Sequence, residues 1–205
     1  MTVPGGTAGA NRWAGGHYEL AMIFEVDGDQ AATARAVLET LWSRAEISGP
    51  MAARGADPAT NPCFDLGSID LIAGSGLHLY GQAVLPNGAI APCGTIVFPE
   101  QSGRTAVSLF LPMASLGESY SVGGFPFGDD GPEADGWRNS LDRWLATVGM
   151  VVFVRTPFQF GLVGFETDSI DPWQEVLERG KPELRRNGVL WPSSGGVEFL
   201  PRTER

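Results

Sequence analysis

The chain has 205 residues, 43% of them hydrophobic, 10% aromatic and 19% charged, which supplies enough apolar material for one packed core and too little charge for a disordered polymer. Its 24 acidic residues outnumber 14 basic ones, giving a formal net charge of −10. That balance disfavours nucleic acid, whose backbone is bound by Lys and Arg that displace condensed counterions, and it disfavours anionic membrane surfaces.

Residues 1–16 are rich in Gly, Ala and Thr and are expected to form a flexible arm. They have neither the basic start nor the apolar centre of a secretory leader, and no run of about 18 apolar residues follows, so a cytoplasmic location is expected. Abundant Ala, Gly and Pro, with Lys181 the single lysine beside 13 Arg, fit a GC-rich bacterial genome. Tyr18, Leu20, Met22, Phe24 and Val26 alternate at period two and predict the first strand. Asp27-Gly28-Asp29 then provides a turn and an N-cap. Ala31, Ala34, Val37, Leu38, Leu41 and Trp42 recur at helical spacing, which predicts a helix over 30–43.

Between 47 and 62 the density of Gly-Pro, Asp-Pro and Asn-Pro breakers predicts a long loop, and Ile69 to Ala73 reads as a short edge strand. Three strands follow at 77–85, 90–98 and 105–111, the first two joined by Asn87-Gly88 as a two-residue hairpin turn. A loop from 117 to 136 ends at Asp135, which is placed to cap a second helix. Trp137, Leu141, Trp144, Leu145 and Val148 form that helix's apolar stripe, with Arg138, Asn139, Asp142 and Arg143 on the opposite side and Gly149 as its end. Residues 150–155 and 158–166 read as strands, Asp171-Pro172 opens a third helix through Trp173, Val176 and Leu177, and 188–191 is a last strand. The expected fold is α+β, a mostly antiparallel sheet with a central three-stranded meander over 77–111 and two or three helices packed on one face. A single domain over 17–192 would lie between the N-terminal arm and a C-terminal tail at 193–205.

Catalytic chemistry finds little to stand on. The two cysteines, Cys63 and Cys93, and two histidines, His17 and His78, make no CxxC, HExxH or zinc-spaced set, so no metal, no cofactor and two reduced thiols are expected. With Asn87-Gly88 as a two-residue turn, His78 would oppose Val97 and Gln82 would oppose Cys93, which separates the imidazole from the thiol by about 13 Å on one face. No serine lies in a GxSxG setting, and Gly123 to Gly128 lacks the Lys-Ser/Thr ending of a phosphate loop. Asp129-Asp130-Gly131 does not place carboxylates at calcium-loop spacing.

The distinctive feature is acidity beside aromatic residues. Residues 61–172 carry 12 acids against four Arg, a net of −8. Within the 117–136 loop, Phe125, Phe127, Asp129, Asp130, Glu133 and Asp135 are the candidate partner-binding residues, with the carboxylates steering a basic protein partner and the Phe side chains anchoring it. In size, acidity and lack of a catalytic set the chain resembles small bacterial immunity and antitoxin proteins. The resemblance implies a non-catalytic module that neutralises a partner, such as a toxin domain, by binding it. The alternative is an enzyme or small-molecule binder with a carboxylate-containing pocket between the sheet and residues 120–135.

Overall fold

A computed structural model describes residues 12–55, 60–71, 75–100, 102–122, 132–167 and 170–203, and for 132–135, 170–172 and 174–175 the backbone alone. In chain order the elements are β1 (His17–Glu25), α1 (Gln30–Trp42), β2 (Ile47–Met51), a 3-10 turn (Leu66–Ser68), β3 (Leu77–Val84), β4 (Ile90–Pro99) and β5 (Arg104–Pro112). There follow α2 (Met113–Gly117), α3 (Pro132–Arg155), β6 (Phe160–Phe165), α4 (Ile170–Arg179), β7 (Gly188–Ser193) and β8 (Gly196–Leu200). The strands form one eight-stranded sheet in the order β2-β3-β4-β5-β1-β6-β7-β8, with every neighbouring pair antiparallel. The architecture is α+β.

β1 sits inside the sheet between β5 and β6, and Tyr18 through Phe24 are all buried. Its even positions, Tyr18, Leu20, Met22 and Phe24, join a large core with Val37, Leu38 and Leu41 of α1 and Leu141, Leu145, Val148 and Val152 of α3. Its odd positions Ala21 and Ile23 join a second core with Ala106, Phe160, Leu162 and Val189, closed by Trp173 and Val176 of α4. The helices therefore do not share one face. α1 and α3 cover one side and α4 the other, because a central strand that is apolar at both parities needs cover on both. α1 matches its predicted span, and the Asp29 carboxylate accepts from Ala32 N at 3.0 Å as its cap.

The β3–β4 turn differs from expectation by one residue. Gly88 N donates to Leu85 O and Leu85 N to Ala89 O, both at 2.8 Å, so Pro86-Asn87-Gly88 is a three-residue loop. The fixed φ of Pro86 suits a type I turn, and Gly88 takes the left-handed position at φ 83°. Leu77 then opposes Val97, and Cys93 opposes Gly81. A slip of one residue reverses which faces are shared.

Five more expectations are corrected by the structure. The strand expected at 150–155 is the last part of α3, which runs through Gly149 for 24 residues. Gly149 marks a close approach instead of a stop: a Cβ there would meet Leu190 Cδ1 at 2.3 Å and Leu20 Cδ2 at 3.3 Å. The helix ends before Pro157, whose ring disfavours helical geometry at Thr156. The loop expected from 47 begins with β2, an edge strand with a bulge between Ser48 and Met51. The edge strand expected at 69–73 is absent over 69–71, where a 3-10 turn capped by Asp65 precedes irregular chain, and 72–73 lie outside the described residues. β8 occupies part of the segment read as a C-terminal tail, and Arg12 to Gly16 of the N-terminal stretch lie against the sheet, with Met113 N donating to Gly16 O and Ala114 N to Ala14 O, each at 3.0 Å. Among the described residues, no helix is long and apolar enough to cross a membrane.

Candidate functional site: a buried charged cluster beside the acidic loop

α3 does not turn its charges uniformly outward. Arg138 and Asp142, which helical periodicity placed on the solvent side, are 7% and 3% exposed. They lie one position past Trp137 and Leu141, so the stripe that faces the sheet is wide enough to take them in, and as an i, i+4 pair of opposite charge they stack along it. Below them, Tyr18 on the α1/α3 face of β1 donates its hydroxyl to Asp142 Oδ1. From the far end of the chain, Arg202 brings its Nε to 3.9 Å from Asp142 Oδ2. Arg202 is held there by Arg185, whose Nε donates to Pro201 O and whose backbone N donates to Thr203 Oγ1, both at 2.8 Å. The Trp137 ring stands edge-on to Tyr18 with centroids 5.3 Å apart, and the Tyr120 and Trp137 centroids are 6.1 Å apart.

Burial dominates the electrostatics. It raises the Asp142 carboxyl from 3.8 to about 6, against the opposing pull of the Tyr18 hydrogen bond and of the Arg138 and Arg202 charges. The Tyr18 hydroxyl is raised well above its ordinary value, first by burial and then by the neighbouring Asp142 charge, so it keeps its proton and acts as donor. The cluster ties together the first strand, the long helix and the C-terminal segment, and it contains a carboxylate that can take up a proton close to neutral pH.

The residues singled out from the sequence are placed differently. Phe125, Phe127, Asp129 and Asp130 lie outside the described residues. Glu133 and Asp135 fall in the first turn of α3, where only the backbone is described. Asp135 is not the N-cap, because the helix begins at Pro132, a residue suited to the first helical position. Before 123 the described chain ends at Tyr120 and Val122, both partly buried against the main core, and it resumes at α3. Tyr18, Arg138, Asp142 and Arg202 were missed as a group; the Arg138–Asp142 spacing was the one signal available, and nothing in the sequence links 18 and 202 to it.

Cys93 is fully buried, its thiol raised by burial, while Cys63 is exposed with Sγ 3.6 Å from Gly49 O; neither is bridged. His78 opposes Ile96 and Cys93 opposes Gly81, so the imidazole and the thiol lie on opposite faces of the sheet. The expected separation along one face is thereby corrected, and the pair forms no dyad. No protein-family model, no curated protein and no solved structure matches this chain.

Proposed function

We propose that this protein is a cytoplasmic, non-catalytic binding module that engages a basic protein partner through the acidic segment around 118–135, in the manner of an immunity or antitoxin protein. The observation that carries the reading is where the charge resides. Among the described residues the buried charged ones are Glu19, Asp142 and Arg138, and the Arg202 side chain, 8% exposed, lies beside Asp142, so that these charges cancel. The described core therefore contributes little to the formal net charge of −10, and a net acidic field raises the association rate of cationic partners and selects among them. The test is a partner captured from native extract, its association rate then measured against salt with wild type and with Asp129, Asp130 and Glu133 replaced by Asn or Gln. Steering predicts a slower, less salt-sensitive association in the variant. Equal rates and equal salt dependence would reject the acidic segment as the docking surface.

A second reading, a small-ligand binder or enzyme with a pocket between the sheet and residues 120–135, draws support from Asp142, a carboxylate raised to about 6 beside that segment. It ranks second because the carboxylate already holds Tyr18 and lies near Arg202. Asp142→Asn separates the two: partner binding survives it, whereas acid–base chemistry at this carboxylate does not.

A further inference from the structure

On the face of the sheet away from α1 and α3, one row of residues crosses four strands: Tyr80 on β3 opposes Gly94 on β4, Gly94 opposes Phe110 on β5, and Phe110 opposes Glu19 on β1. Gly94 has no room for a side chain, since a Cβ there would lie 2.5 Å from Phe110 Cζ and 2.7 Å from Leu79 O, so the Phe110 ring lies over it toward Tyr80. Trp13 closes this row from above. Its ring is perpendicular to Tyr80, at 89° with centroids 5.3 Å apart, and it meets Phe110 at 6.4 Å. Behind Phe110 the His17 ring is stacked at 4.2 Å. Two ring faces at a right angle make a corner of negative electrostatic potential, the arrangement that receives cations.

A cation already sits there. The Arg54 guanidinium carbon is 5.8 Å from the Trp13 centroid and 5.5 Å from that of Tyr80. The walls and the occupant are held very differently. Trp13 is fixed by the flanking backbone bonds of Ala14 and Gly16 to α2 and by the Arg12–Glu118 ion pair at 2.9 Å, and Tyr80 belongs to the sheet. Arg54 is an exposed turn residue, followed by Gly55 at φ 73° with open space around its Cβ position. Its ring contacts are its only interactions with the described residues.

We propose that Trp13 and Tyr80 form a receptor for a guanidinium group, with Arg54 as its resident, displaceable occupant. The ligand class follows from the occupant: a planar cation that covers both ring faces while its N–H groups stay toward water. The receptor does not depend on the role proposed for the acidic segment at 123–135. An arginine side chain of a protein and a free small guanidinium compound share this chemistry.

The test uses the full chain and the indole N–H resonances of its six tryptophans, that of Trp13 being identified by its loss in Trp13→Phe. Guanidinium ion at sub-denaturing concentration and the capped dipeptide acetyl-glycyl-arginine amide are titrated into wild type, Arg54→Ala and Arg54→Ala/Tyr80→Leu. The Trp13 resonance should shift saturably in Arg54→Ala, require at least tenfold more ligand in wild type, and stay unmoved in the double variant. Tighter binding of the dipeptide than of guanidinium ion supports a protein arginine as the natural occupant, and equal binding supports a small guanidinium compound. No saturable shift of Trp13 in Arg54→Ala, or equal affinities with and without Arg54, overturns the proposal. The unchanged positions of the other five indole resonances verify that each variant is folded.

Discussion

At the scale of single residues, Asp142 is the group whose surroundings differ most from what its local sequence announces. It lies in a helix turn with Arg138 and Arg143 close by, a setting that reads as a solvated charge pair, yet it is buried against Tyr18 and approached by Arg202. Its carboxyl, raised from 3.8 to about 6 first by desolvation, binds its proton more tightly in the folded than in the unfolded chain. The sign follows: the stabilisation is fully present below about pH 3.8 and is lost as pH rises through 6. At about 1.4 kcal/mol for each tenfold change in proton affinity, the loss amounts to about 3 kcal/mol. Asn at this position can still accept from Tyr18 but carries no charge. Urea-melt stabilities of wild type minus Asp142→Asn, measured from pH 4 to 7, should therefore fall by about 2 kcal/mol across that range, because pH 4 lies just above the unfolded value. A flat difference would mean that the two arginines fully offset the burial.

At the scale of elements, α3 depends on its apolar stripe and β2 on the room left by its neighbours. Leu141 and Leu145 are fully buried in the main core, and truncating either to Ala should cost about 2–5 kcal/mol, read from urea midpoints, because the cavity cannot collapse between a helix and a sheet. Changes under about 0.5 kcal/mol would mean that the stripe does not face the sheet. The edge strand rests on a different detail. A Cβ on Gly81 would lie 2.1 Å from Ser48 O and 2.6 Å from the Trp42 ring, and the first of these is backbone that cannot rotate away. Gly81→Ala should therefore cost about 1–3 kcal/mol. It should also speed hydrogen exchange at Val84 N, which donates to Glu46 O at the entry to β2. Protection equal to wild type would show that β2 shifts without loss. The breaker-rich composition of 47–62 reads as loop because strand propensity is weak there; pairing with β3 overrides it over 47–51 alone.

At the scale of the whole molecule, the net charge and the aromatic anchors should separate in the kinetics of partner binding. Long-range steering acts before contact, so the Asp129, Asp130 and Glu133 substitutions should lower the association rate and flatten its dependence on salt. An anchor acts after contact, so Phe127→Ala should mainly speed dissociation, by about 30-fold for a side chain that contributes about 2 kcal/mol. Surface plasmon resonance with the captured partner reads both rates. Association that is insensitive to charge and salt, together with unchanged dissociation, would move the interface elsewhere on the sheet.

The sequence by itself determined those elements whose signal is local: β1, with its alternation of apolar residues; α1, with its Asp29 cap and stripe; the strands β3, β4 and β5; and the α+β class that follows from them. It also determined the acidity, since charge is additive and needs no fold. Only the tertiary structure decided the rest, because each remaining feature depends on partners distant in the chain. Gly149 stays helical because Leu20 and Leu190 press against it, the hairpin register is set by how Pro86 and Gly88 share one turn, and α4 lies opposite α1 and α3 because β1 is central. The same holds for the candidate sites. Tyr18, Asp142 and Arg202, and likewise Trp13, Arg54 and Tyr80, come from separate segments, and no periodicity within one segment encodes a meeting that exists only once the sheet has closed around β1.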